Sequence, residues 1–167
     1  MKLLSISDVA KERDCIESYD EARDSSVVDE DKLLDSLETD LRSGGVIVDW
    51  HVCDIFPERL IDLVVVLRCS NSTLYERLEK RGYKKSKISE NVEAEIMQVI
   101  LEEAQDSYDE HIVIELNSDS KKESTANVKR LVSWLKKWID DHPQGVSNEL
   151  QVTDSESDAN DDDDDEK

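Results

Sequence analysis

Gly44-Gly45-Val46-Ile47-Val48-Asp49-Trp50-His51, running on through Phe56-Pro57-Glu58-Arg59 to Leu63-Val64-Val65-Val66-Leu67, decides the fold. Val46 to Val48 is a short apolar run between a Gly-Gly stop and polar residues, the pattern of a buried parallel strand rather than an alternating surface strand. Leu63 to Leu67 is a second such run, rich in β-branched residues and free of charge, and Pro57 to Asp62 reads as a one-turn link between the two. Open α/β sheets carry out their chemistry just past the carboxyl ends of their strands. Asp49 stands at that point, where an acid commonly holds the magnesium of a nucleoside triphosphate. The alternative reading is that Asp49 caps the turn that follows.

Working back toward the start, Lys2-Leu3-Leu4-Ser5-Ile6 reads as a strand that begins almost on Met1. Ser7-Asp8 is the expected cap of a short helix over Val9 to Asp14, in which Lys11 and Arg13 offer positive charge. Cys15 to Val28 is polar, with Tyr19-Asp20-Glu21 in its middle, and reads as a mobile flap rather than core. Asp29-Glu30-Asp31 opens a helix, acids at its start suiting the dipole. Leu33, Leu34, Leu37 and Leu41 share one face of it, and Gly44 ends it. A helix returning to a strand implies a right-handed parallel β-α-β crossover.

Forward from the second buried run, Ser70-Asn71-Ser72-Thr73 caps a helix with Leu74 and Leu78 inward, and Gly82 closes it. Lys80-Arg81-Gly82-Tyr83-Lys84-Lys85-Ser86-Lys87 is the one dense basic segment. Basic side chains favour helix C-termini, so a solvated helix end is one reading; a lid over phosphates, hinged at the glycine, is the other. Ser89 is the expected cap of a long helix carrying Val92, Ile96, Val99 and Ile100. Ile112 to Leu116 is a further strand. Val128, Leu131, Val132, Leu135, Trp138 and Ile139 form the apolar face of a last helix, stopped by His142-Pro143.

Composition bounds what such a chain does. Its 167 residues make one domain and a tail, with 42 acidic against 21 basic residues and a net charge of −21. That surface repels nucleic acid and attracts basic proteins, so direct nucleic-acid binding is not expected. Cys15, Cys53 and Cys69 lie far apart without metal-ligand spacing and read as reduced thiols of an intracellular protein. No apolar run reaches the roughly 18 residues of a membrane span, and no secretory signal opens the chain. From Gln151 on, nine acids stand against Lys167 alone, so residues 151–167 carry −8 and residues 1–150 carry −13. A segment with so little to bury is expected to be disordered.

Asp49-Trp50-His51, Phe56-Pro57-Glu58-Arg59-Leu60, Leu74-Tyr75-Glu76-Arg77-Leu78 and Arg81-Gly82-Tyr83, in this order, resemble the nuclear adenylate kinase isoenzyme 6 family. That family is also described as a coilin-interacting nuclear ATPase and, in yeasts, as a small-subunit ribosome maturation factor. The resemblance runs from residue 5 to about 145. It implies an α/β fold, a P-loop kinase-like parallel sheet flanked by helices. It further implies phosphorylation of AMP by ATP with Mg2+, weak ATPase activity, and a nuclear and cytoplasmic role in 18S rRNA processing. The partners implied are a basic small-subunit ribosomal protein and the pre-40S particle.

Carried over by position, Asp49 and His51 resemble the family's Walker-B-like catalytic pair. Asp49 would hold magnesium through water, and His51 would position the attacking or accepting group. Residues 5–28 resemble the AMP-binding flap, with Lys11 where an arginine is usual, and Arg59 resembles the arginine facing the acceptor nucleotide. A lysine is a point charge and an arginine a fork, so Lys11 would grip a phosphate less firmly. Residues 80–90 match the lid, with Arg81 over the ATP phosphates. The adenylate-kinase-like domain is thus residues 1–145, followed by an acidic tail, 146–167.

The family opens with a strand and a Gly-rich loop ending in Gly-Lys-Ser or Gly-Lys-Thr, which cradles the phosphates and adds a magnesium ligand. The 167 residues contain no such loop; Gly44-Gly45 precedes a strand, and no Lys-Ser follows it. The chain opens where the family's second strand lies, so the expectation is that Met1 is an internal methionine and that the first strand and P-loop are missing from this chain. That first strand is central in the sheet, so its absence should split the sheet into two pairs and remove contacts worth roughly 5–15 kcal/mol, of the order of a domain's net stability. The other function class is a catalytically inactive acidic binding module that chaperones a basic ribosomal protein.

Overall fold

The computed structural model describes residues 1–21, 23 and 25–144. The first half is built on β1 (Lys2–Ser5) and β4 (Val46–Asp49), paired in parallel with Leu4 opposite Val48 and Ser5 opposite Asp49. The connection between them contains α1 (Ile6–Glu12), the antiparallel hairpin of β2 (Ile16–Asp20) and β3 (Ser25–Val28), and α2 (Glu30–Ser43). Leu33, Leu37 and Leu41 of α2 are buried with Leu4, Ile6, Val9 and Ala10 in one core. The helix opens at the acidic Asp29-Glu30-Asp31 and ends at Gly44 (φ 66°) as read from the sequence, and Asp29 caps it by accepting the Lys32 N–H at 3.0 Å.

Two expectations for the first half are corrected. The first helix starts at Ile6, with Ser5 rather than Ser7-Asp8 at its cap position and no side-chain cap bond. The segment 15–28 is largely an ordered hairpin whose base is core: Cys15 is buried, its N–H donates to Ala10 O at 2.8 Å, and its carbonyl accepts the Asp29 N–H at 2.9 Å. The polar composition misled because the hairpin buries little beyond Cys15, Ile16 and Val28.

The second half is built on β5 (Val64–Arg68) and β6 (Val113–Asn117), again parallel, with Val66 opposite Glu115. Between them lie α3 (Asn71–Lys80), α4 (Lys85–Ile96) and α5 (Val99–Ser107), and α6 (Lys121–Asp141) follows β6. Val66, Leu101 and Ala104 form the second, smaller core, with Cys53, Val64 and Val113 packed against it. The long helix expected after Ser89 is two helices: the chain enters α4 at Lys84 and breaks at Gln98, which sits in the left-handed region at φ 57°. Without that break α5 would continue away from β5 instead of covering it.

Among the described residues β4 pairs only with β1 and β5 only with β6, so the parallel strands form two pairs. Leu3 and Ile47, opposite one another in the first pair, are 64% and 48% exposed. The apolar stripe on α6 is only partly covered: Leu131, Leu135 and Trp138 are half-buried, whereas Val132 and Ile139 are exposed and Val128 is 59% exposed. Each such side chain left in water forgoes about 1.5–3 kcal/mol. The cysteines are free thiols, and among the described residues no helix is long and apolar enough to cross a membrane. Residues 145–167, which include the expected acidic tail, lie outside the described residues.

Candidate functional site

The site is organised by the end of β4. Asp49 closes that strand beside Ser5, the residue from which α1 departs, so a helix start and a carboxylate share the carboxyl edge of the parallel pair. Among the described residues the Asp49 carboxylate is exposed, accepts no hydrogen bond and joins no ion pair. The capping alternative therefore finds no support: a cap carboxylate would accept a backbone N–H.

Trp50 turns inward against the first core, and its ring meets the rings of His51 at 5.2 Å and Phe56 at 6.2 Å, both edge to face. That anchor directs His51 back to the rim. Partial burial, and after it the positive charge of Lys87, holds the imidazole below its ordinary value of 6.5. His51 is therefore neutral at pH 7 and has a ring nitrogen free to accept a proton. Cys53, two residues on, is held above its ordinary value by burial and then by Asp54 and Glu103, so it stays an uncharged thiol.

The acceptor side follows in the same loop. A single 3-10 turn over Glu58–Leu60 carries Arg59, exposed, at a shallow groove shared with Leu34, Asp35 and Glu38 of α2. Lys11, in the last turn of α1, is exposed and without an ion pair among the described residues. Its neighbour Arg13 is committed instead, donating to Asp40 at 2.6 Å and to the Ser36 carbonyl. Lys11 is thus the free cation of the pair.

The basic segment 80–90 is the tip of a helical hairpin. α3 ends at Lys80, Gly82 turns the chain at φ 78°, and α4 starts at Lys85, with Leu78 and Ile88 buried. Arg81, at the C-cap of α3, is exposed and unpaired among the described residues. Lys80 and Arg81 suit a helix C-terminus, but Lys84, Lys85 and Lys87 crowd the N-terminal turn of α4, where a cation costs about 0.3–1 kcal/mol each. Lys87 there lies over the Tyr83 ring, 5.0 Å from its centroid.

Asp49 thus ends β4 and His51 and Arg59 follow it in the connection to β5, with the charge of Lys87 in α4 acting on His51; Lys11 and Arg81 lie on α1 and at the end of α3. Sequence reading missed Arg68 and Tyr108. Arg68 ties β5 to the α4–α5 junction, through Glu95 at 2.6 Å and Gln98 at 3.4 Å. Tyr108 donates toward the carbonyls of Cys53 and Phe56. Neither has a spacing or neighbour pattern that marks it, because both act across long sequence separations.

The family described as "AAA domain" matches residues 2–98. The chain is 61% identical over 150 residues to the Saccharomyces cerevisiae protein "Adenylate kinase isoenzyme 6 homolog FAP7", covering 90% of this chain and 76% of that one. It is 63% identical over 149 residues to the Candida albicans "Adenylate kinase isoenzyme 6 homolog HBR1", covering 89% of this chain and 60% of the relative. The Schizosaccharomyces pombe "Adenylate kinase isoenzyme 6 homolog" is 52% identical over 139 residues, 83% of this chain and 79% of that protein. On the strength of these matches, and with the α/β architecture and the motif order agreeing, the chain belongs to the adenylate kinase isoenzyme 6 family.

Proposed function

We propose that the protein, joined to a phosphate-binding loop, transfers the γ-phosphoryl group of ATP to AMP, giving two ADP, and hydrolyses ATP when water takes the place of AMP. The observation that carries this reading is the unpaired Asp49 carboxylate at the carboxyl end of a parallel strand, two residues before a neutral His51. Among the described residues no cluster of three potential ligands could cage a metal. A lone carboxylate suits Mg2+, which keeps its waters and takes its other ligands from phosphates. When bound with the nucleotide, Mg2+ neutralises charge on the transferring phosphates.

The chain's own groups then divide the work. Asp49 would hold the hydrated Mg2+ through its carboxylate. His51 accepts a hydrogen bond from the attacking water or orients the acceptor phosphate. Arg59 and Lys11 hold the AMP phosphate, and Arg81, with the lysines at the start of α4, faces the donor phosphates as a lid. The 167 residues supply no backbone cradle, so the reading requires that loop from residues outside them. ADP formation by a chain carrying a Gly-Lys-Ser or Gly-Lys-Thr loop ahead of β1, with AMP against CMP, GMP and UMP as acceptors, tests it. Dependence on AMP and Mg2+ is expected, and no ADP formation with any acceptor would overturn it.

The place of this activity is the maturation of the small ribosomal subunit, in nucleus and cytoplasm, with a basic ribosomal protein of the pre-40S particle as partner. The chain's net charge of −21 favours such a partner over RNA itself. The same charge favours the second reading, an acidic binding module that covers a basic protein until it meets rRNA.

A further inference from the structure

We propose that Tyr108 is a positioning residue, whose hydroxyl pins the loop joining Asp49 and His51 to Arg59. This rests on the reading of those three residues as one nucleotide site. Tyr108 follows α5 and is 5% exposed, its own N–H donating to Ala104 O at 3.1 Å. Its hydroxyl lies within hydrogen-bonding distance of the Cys53 carbonyl and, at 3.0 Å, of the Phe56 carbonyl. One proton shared between two acceptors ties both ends of the Cys53–Phe56 turn, itself closed by the Phe56 N–H to Cys53 O contact at 3.4 Å.

The adjacent residue extends the clamp. The Asp109 N–H donates to Glu58 Oε1 at 3.0 Å, one position before Arg59. Two consecutive residues after α5 therefore hold three points of the loop, and α5 is itself seated on β5 through Leu101 and Ala104. The loop between His51 and Arg59 has no regular structure before Glu58 and does not pair with a strand. Apart from the packing of Trp50, Cys53 and Phe56, this clamp fixes the distance between the donor and acceptor ends. Burial first, and then the nearby carboxylates of Asp54 and Glu58, keep the phenol protonated, so it remains a donor throughout the physiological range.

Tyr108→Phe keeps the ring in the core and removes only the hydroxyl. Losing one net hydrogen bond of about 1 kcal/mol should speed amide exchange over residues 51–58 roughly five- to tenfold. Exchange over α5 and β5 should stay at the wild-type rate, which a general loss of packing around the ring would not allow. Neither readout needs nucleotide, so a failure here leaves the phosphotransfer reading standing, and a failure of that reading leaves the clamp standing. Glu58→Ala is the second variant: it should loosen residues 57–59 while residues 53–56 keep their protection. If both variants leave exchange over 51–58 at wild-type rates, or speed it equally over α5 and β5, even with a lowered melting temperature, Tyr108 is a packing residue only and the proposal is wrong.

Discussion

Arg68 and Glu95 meet at 2.6 Å, Nε to Oε1, across the junction where α4 gives way to α5. The guanidinium also donates to the Glu95 carbonyl at 3.2 Å, to Gln98 at 3.4 Å and to Glu115 of β6 at 3.2 Å. One side chain at the end of β5 thereby holds the left-handed break at Gln98 and fixes the base of the basic hairpin. The planar fork makes this possible, and a lysine has no equivalent.

Arg68→Ala should therefore cost about 1–3 kcal/mol, since Glu95 is left with its charge partly enclosed and unpaired. Arg68→Lys should recover less than half of it. Urea unfolding of the three proteins measures both, and equal midpoints would mean that the junction is held by helix packing alone.

Asp40 gives the pH prediction. Hydrogen bonds from Lys2 and Arg13 hold its carboxyl below the ordinary value of 3.8. A carboxylate with a lower folded than unfolded value releases its proton more readily when folded. Its stabilising contribution is present above pH 3.8 and fades as the pH falls through and below it. Asp40→Asn should lower the denaturation midpoint at pH 7, and the gap from wild type should close toward pH 3. A gap that stays constant over that range would show that the pair contributes no linkage.

How much of this was legible in the sequence follows from what each element buries. α2 was plain because its leucines fill the core, and its end at Gly44 lies next to them in sequence. β4 and β5 were found as strands but read as fully buried, whereas β4 alternates half-buried Val46 and Val48 with exposed Ile47 and Asp49, and β5 buries Val66 while Leu67 is exposed. The hairpin over β2 and β3 was not, because its pairing is made by backbone groups that composition does not reveal. The α4–α5 break was hidden for a related reason: Gln98 is an ordinary helix former, and Arg68, distant in sequence, holds it in the left-handed region. Asp49, His51 and Arg59 were visible as motif positions, whereas Tyr108 behind them was not. The stripe on α6 was read as an apolar face, and of it Leu131, Leu135 and Trp138 are half-buried while Val128, Val132 and Ile139 are exposed.

The tail prediction rests on charge alone. Residues 151–167 carry −8, so truncation after Leu150 should slow association with a basic partner and flatten its salt dependence. The effect should be largely screened above roughly 0.15 M salt, where the Debye length is about 8 Å. Stopped-flow association at several salt concentrations reads this directly, and identical rates and slopes would assign the tail to solubility only.

The 167-residue polypeptide by itself should form no measurable ADP from ATP and AMP. A missing cradle, loop lysine and magnesium ligand together remove several orders of magnitude of rate. Turnover at ordinary kinase rates by the purified polypeptide would show that its own residues suffice.

The most direct test of the site itself is a pair of substitutions in a chain carrying the phosphate loop, read by nucleotide titration and turnover with and without Mg2+. Asp49→Asn should weaken the magnesium-dependent part of ATP binding and leave the magnesium-free part unchanged. His51→Ala should lower kcat with little change in KM for ATP. Wild-type magnesium dependence and turnover in both variants would contradict the assignment, and would make the end of β4 a structural corner rather than the place where phosphate is transferred.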